Sequence, residues 1–90
     1  MATIQKFTEL DIWKLGNELQ EKIHIICAAG SLNKDHALKD QMNRSSGSIP
    51  DNIAEGFRRG GRLEFIQFLG IARVSASELQ SQLIRSLSRK

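Results

Sequence analysis

Apolar residues return every three or four positions along most of this chain. The first series runs Ile12, Leu15, Leu19, Ile23, Ile26 and Cys27, with Lys14, Glu18, Glu21 and Lys22 on the other faces, which is the spacing of an amphipathic helix. Thr8 and Asp11 have the form of a capping box, and Phe7 with Ile12 that of a hydrophobic staple. Gly30 offers the left-handed residue that ends a helix. Helix one is therefore expected over about residues 9–29, and the polar connector GSLNKD follows. Asn33 or Asp35 can cap the next helix.

Helix two carries Leu38, Met42, Ile49, Ile53 and Phe57 and is expected over 35–59. Pro50 interrupts it on paper, because proline lacks an N–H and clashes with the carbonyl of Ser46, at about 3 kcal/mol in a helix interior. In one reading Ser48 caps a new helix, with Pro50 in its first turn and Asp51 completing the box. In the other a single helix bends. The series 38, 42, 45, 49, 53 and 57 advances by threes and fours without a slip across the proline, which favours one continuous helix kinked near Pro50. Ser45, Ser46, Gly47 and Ser48 supply the small side chains and hydroxyls that a kinked helix needs.

Gly60 and Gly61 end helix two, and helix three is expected over 62–87. Its first half is apolar almost all round: Leu63, Phe65, Ile66, Phe68, Leu69, Ile71, Ala72 and Val74. A core-facing stripe needs only about three positions in seven. The surplus predicts self-association. No strand pattern appears, and the chain has no tyrosine, one proline and one tryptophan. The expectation is all-α: a single domain over 1–90 with three long helices. A chain this short buries only about 60% of the surface it exposes when unfolded, so its core should be thin.

Charge divides the chain. Residues 1–55 hold six Lys/Arg and eight Asp/Glu, and residues 56–90 hold seven against two, giving minus two and plus five. The basic second half suits a nucleic acid or an acidic protein. The opening MATIQKFTELDIWK lacks a basic head followed by an apolar run, and no segment approaches the ~18 uninterrupted apolar residues of a membrane span. A cytoplasmic protein without a membrane partner is expected. Cys27 has no cysteine to pair with and lies on the apolar stripe, as a small buried hydrophobe would.

A second series on helix two is polar: Gln41, Ser45, Ser48, Asn52 and Glu55, spaced four, three, four and three. Small and amide side chains at that spacing suit close helix packing with hydrogen bonds across the interface. Glu78 of helix three can pair with Arg44 or Arg58. Catalytic chemistry is harder to place. His24 and His36 stand on different elements, and no HExxH, CxxC or paired-carboxylate spacing offers a metal site. GFRRGG lacks the Lys-Ser/Thr ending of a phosphate loop. No enzyme activity, cofactor or metal is expected.

FRRGGR is the candidate binding element. Arg58 and Arg59, in the last turn of helix two, complement its dipole, whereas Arg62 opens helix three and opposes the dipole there. An external anion, or Glu55 or Glu64, must justify it. Three guanidinium groups at a glycine turn and a helix N-terminus suit phosphate contacts of the sequence-independent kind. Arg73, Arg85, Arg89 and Lys90 extend the candidate strip along helix three. Phe65 and Phe68 are expected in the core rather than as base-stacking platforms.

The stretches LKDQMNRSSGSIPDNIAEGFRR, LEFIQFLGIARVSASELQSQL and FTELDIWKLGNEL resemble the four-helix bundle family of 23S rRNA intervening-sequence proteins, over about residues 7–87. The motif that carries the resemblance is Gln-x-x-Arg-x-x-x-Ser-Ile-x-x-Asn-Ile-Ala-Glu-Gly, met by Gln41, Arg44, Ser48, Ile49, Asn52, Ile53, Ala54, Glu55 and Gly56. The resemblance implies an antiparallel up-down-up-down bundle, of which this chain would hold three long helices, assembling into ring-like homopentamers. Some relatives are encoded within insertions in bacterial 23S rRNA genes, and a similar bundle serves diversity-generating retroelements, binding reverse transcriptase and nucleic acid.

Two departures stand out. Val74-Ser75 replaces a Gly-Ser common in the family, so a larger side chain is expected to shift a close helix contact. The family's fourth helix is expected to be missing after helix three, which would leave a seam exposed: either the chain is a truncation, or another chain supplies the helix by exchange or assembly. The functional expectation is a homo-oligomeric, non-enzymatic bundle binding RNA or a ribonucleoprotein through its arginines. The alternatives are an accessory subunit of a retroelement reverse transcriptase, or a truncated element product without an independent role.

Overall fold

A computed structural model of the chain describes residues 3–89. Three helices hold most of them: α1 (Asp11–Cys27), α2 (His36–Arg59) and α3 (Arg62–Ser88), with short 3-10 turns at Phe7–Glu9 and Gly30–Lys34 and no strand among the described residues. Lys90, which the sequence places in the basic strip, lies outside them.

Gly60, at φ +80°, closes α2 in the left-handed conformation that a side chain disfavours. The two-residue turn folds α3 back along α2. Successive contacts read out the antiparallel register: Gly56 meets Phe65 and Phe68, Ser48 meets Ser75, Gln41 meets Arg85 and Asp35 meets Arg89. On the other flank α1 crosses α2 where Gly16 faces Ile49 and Pro50; a Cβ on Gly16 would stand 3.2 Å from Ile49 Cγ2 and 3.5 Å from the Pro50 nitrogen. α2 is thus the central helix, and α1 and α3 both pack on it while touching one another little.

The proline does not break α2, which runs unbroken from His36 to Arg59 with Pro50 buried. The uninterrupted apolar phase predicts this. Its packing explains why proline is tolerated: the ring lies at the α1 crossing, where burial of an apolar group offsets part of the lost backbone bond. Core side chains come from all three helices: Ile23, Cys27, Leu38, Met42, Ile49, Ile53, Ala72 and Leu79. Burial raises the Cys27 thiol pKa above its ordinary value, against a smaller opposing influence of Lys39, and the side chain packs as one of the core hydrophobes.

Several sequence expectations need correction. Thr8 does not cap α1, because Phe7–Glu9 forms a 3-10 turn and Leu10 precedes the helix without a side-chain cap. Phe7 packs edge-on against Trp13 at 5.3 Å rather than stapling to Ile12. Gly30 is left-handed, at φ +62°, yet α1 has already ended at Cys27, and Gly30 opens the second 3-10 turn. The apolar stripe of α1 is also rotated. Gly16, Ile23 and Cys27 are buried with Trp13 half-buried beside them, while Ile12, Leu15, Leu19 and Ile26 are exposed. The cause is glycine: the helices approach where no Cβ stands, which turns the bulkier stripe outward. Val74 is exposed too, and the buried member of that pair is Ser75.

Asp35 is the helix-two cap, accepting a hydrogen bond from the Leu38 N–H at 3.3 Å. That bond, followed by the Arg89 guanidinium at 3.0 Å, lowers its carboxyl pKa below the usual value. A lowered folded-state pKa means the contribution is complete above the ordinary carboxylate range and is lost as pH falls through the Asp35 value. Asp35→Ala is therefore expected to melt earlier than the parent at pH 7 by circular dichroism, with the gap fading below about pH 4. An unchanged gap at pH 2 would remove the ionised cap as its source.

Candidate functional site

The α2–α3 turn gathers Arg58, Arg59 and Arg62, all exposed. Their surroundings differ. Arg58 lies over the Phe7 ring at 4.6 Å. Arg59 donates from Nε to Glu55 Oε2 at 2.9 Å and covers the Phe68 ring at 5.2 Å. Arg62 has no ion pair among the described residues. Neither carboxylate that the sequence offers it is engaged there: Glu55 is held by Arg59, and the Glu64 carboxylate folds back against Gly61. Glu64 complements the α3 dipole from its first turn, which leaves Arg62 unexplained by its own helix. Beside Arg62 lies a hollow of about 450 Å³ walled by Ile4, Leu10, Phe57 and Phe65.

The basic strip expected along α3 divides. Arg85 reaches across to Gln41 Oε1 at 3.2 Å, and Arg89 is held by Asp35. Arg73 is exposed without an ion pair among the described residues. It lies eleven residues from Arg62, three helical turns along the same face. Phe65 and Phe68, expected in the core, are only half-buried.

The polar series on α2 also divides. Gln41 and Ser48 reach α3, Ser48 through a 2.8 Å bond donated by the Ser75 hydroxyl. Ser45 is buried beside them. Asn52 and Glu55 serve their own helix, Asn52 donating to the Ser48 carbonyl and hydroxyl and Glu55 accepting from Arg59. Glu78 pairs with neither Arg44 nor Arg58, and it is exposed rather than enclosed by apolar neighbours. Arg58 is drawn instead to Phe7, a contact no sequence spacing announces.

Between the two helices this leaves an open polar groove of about 390 Å³, lined by Gln41, Arg44, Ser45, Glu78, Gln82 and Arg85. The sequence gives no signal for Gln82, since a glutamine on a helix is ordinarily solvated. Here it is 9% exposed, and its Oε1 has no hydrogen-bond partner.

Of the motif residues, Gln41 and Ser48 bond to α3 while Asn52 and Glu55 bond within α2, and the family comparison bears on the same residues. A family model described as 23S rRNA-intervening sequence protein matches residues 8–90. The chain belongs to that family. No curated protein and no solved structure matches it. For this 23S rRNA intervening-sequence protein, the described residues bring no three His, Cys, Asp or Glu side chains together as a metal cluster. No described helix is long and apolar enough to cross a membrane.

Proposed function

We propose that this member of the 23S rRNA intervening-sequence family is a non-enzymatic, self-associating helical scaffold whose basic surface binds RNA or a ribonucleoprotein. The observation that carries the reading is the apolar surface left uncovered. Ile12, Leu15, Leu19 and Ile26 on α1 and Leu63, Ile66, Ile71 and Val74 on α3 are all exposed, Leu63 at 75%. Scattered exposed leucines are ordinary, but runs of them along two helices mark interaction surfaces. Association between copies buries such a surface with one repeated contact. Light scattering at micromolar concentration is expected to give a mass above that of one chain. A folded monomer would overturn the assembly reading.

RNA is the favoured partner because Arg62 and Arg73 stand exposed on one face without internal ion pairs among the described residues, and the Phe57 and Phe65 edges lie beside Arg62. Phosphate contacts of this kind give affinity that falls steeply with salt. Changing Arg58, Arg59 and Arg62 together to Gln is expected to weaken binding to structured RNA and to flatten its salt dependence, by about one unit of log–log slope for each phosphate no longer neutralised. Arg62 should account for the largest share, since Arg58 and Arg59 are already engaged. Unchanged affinity and slope would remove this surface from the reading. The stacked and paired state of Arg58 and Arg59 favours a second reading, an accessory subunit that docks on a nucleic-acid enzyme such as a reverse transcriptase; binding of the purified enzyme without RNA would distinguish it.

A further inference from the structure

Two hollows at the α2–α3 turn share Phe57 as a wall. One, of about 450 Å³, is walled by Ile4, Leu10, Phe57 and Phe65, and Arg62 is its only charged residue. The other, of about 480 Å³, is lined by Gln5, Lys6, Phe7, Thr8, Phe57 and Arg58. Each falls within the usual size of a small-ligand site, about 300–1,000 Å³. Each joins aromatic side chains to cations, and no carboxylate lines either of them. The α2–α3 groove differs, because Glu78 stands in its wall and repels a phosphate.

The aromatic walls and the cations call for different parts of one ligand. A bare phosphate satisfies the cations but leaves the apolar walls in water, and an uncharged apolar group does the reverse. Phe57 and Phe65 stand with ring centroids 6.3 Å apart and planes at 79°. A flat group parallel to one ring is then nearly edge-on to the other, and both arrangements are favourable for aromatic pairs. A polymer in which every unit carries a flat ring and an anion matches two adjoining hollows that each hold a cation. Single-stranded RNA is such a polymer, whereas a peptide needs a particular run of acidic and aromatic residues to imitate it. Duplex RNA does not qualify, because its bases are paired inside the helix and it is met mainly through backbone and groove shape.

We infer that the two hollows receive successive unpaired nucleotides of an RNA loop or end, one base on either side of Phe57. The base beside Phe65 brings its phosphate to Arg62, and the base beside Phe7 brings its phosphate to Lys6 and Arg58. Arg58 lies over the Phe7 ring at 4.6 Å and can hold a phosphate without leaving it, since a guanidinium stacked by its face keeps the N–H donors of its edge. The assignment rests on the RNA-binding reading and narrows it, from phosphates that any RNA offers to nucleotides free of pairing.

Removing the bases tests it. Fluorescence anisotropy compares two labelled probes of equal charge, octauridine and an eight-unit abasic ribose–phosphate strand. The parent protein is expected to bind octauridine about fivefold or more tightly than the abasic strand, as base stacking on aromatic side chains does. Phe57→Leu, shown to be folded by circular dichroism, keeps an apolar wall and every cation; it should bring the two probes within about twofold and leave the salt dependence unchanged. Arg62→Gln should weaken both probes alike and flatten that dependence by about one unit of log–log slope. An abasic strand that binds the parent as tightly as octauridine, or a base preference that survives in Phe57→Leu, would overturn the nucleotide site and leave the phosphate reading standing. An acidic, aromatic peptide that binds where octauridine does not would also overturn it. Failure of octauridine, the abasic strand and structured RNA alike to bind would overturn both readings.

Discussion

Met42→Ala is expected to lower the unfolding free energy by about 2–5 kcal/mol. Met42 is 0% exposed and belongs to the core cluster, to which all three helices contribute. Removing it takes away buried apolar surface and leaves a cavity that α1 and α3, each held mainly by α2, can close only by losing register. Small domains have about 5–15 kcal/mol in all, so the variant should sit near the edge of folding. Urea unfolding at fixed protein concentration measures it, the concentration being held because assembly adds to apparent stability. Met42→Leu is the control and should cost less than about 1.5 kcal/mol. Equal losses in the two variants would show that shape rather than buried volume governs the site.

Gly56→Ala is expected to destabilise by about 1–3 kcal/mol through overpacking, although alanine is the better helix former by up to about 1 kcal/mol. A Cβ at Gly56 would lie 2.7 Å from Phe68 Cβ and 3.0 Å from Phe65 Cδ1. Phe68 Cβ is fixed to its backbone, so α3 itself would have to move. Gly70 gives the opposite sign: nothing stands within 4 Å of its would-be Cβ, and Gly70→Ala should stabilise by up to about 1 kcal/mol. Thermal melts of the pair test the contrast. A stabilised Gly56→Ala would mean that α3 can retreat from α2 without loss.

Gly56 also shows how far local sequence can be read. As part of a family motif it is legible, but its physical task is not, since nothing in a helical pattern says which glycine meets a neighbouring backbone. Gly16 is the same case on the other flank. The apolar period locates α1 and places Ile23 and Cys27 rightly in its core face, but it also assigns Ile12, Leu15, Leu19 and Ile26 to that face. The close approach permitted at Gly16 puts that glycine in the core beside Ile23 and Cys27 and leaves the other four exposed. Capping is legible where side chain and backbone are neighbours, as at Asp35, and misleading at Thr8, where a 3-10 turn intervenes.

The candidate surfaces divide in the same way. That Arg62 opposes its helix dipole follows from position in the chain, and the absence of an ion pair among the described residues sharpens it. That Arg58 and Arg59 are occupied by Phe7, Phe68 and Glu55 follows only partly: Glu55 is one turn from Arg59, whereas Phe7 is fifty-one positions from Arg58. The open groove is hidden from the sequence. Its walls come from residues roughly forty positions apart, and its incomplete acceptor, Gln82, belongs to a residue type that sequence places in solvent.

Periodicity and turn chemistry by themselves determined three helices, the continuity of α2 through Pro50, the reversal at Gly60-Gly61 and the basic bias of the second half, because these depend on neighbours within a few residues. Only the tertiary structure decided which face of α1 is core, which arginines are free of ion pairs among the described residues and where a polar groove stays open. Those outcomes depend on how closely two backbones approach, and that distance is set at glycines 16 and 56 by side chains far away in the chain.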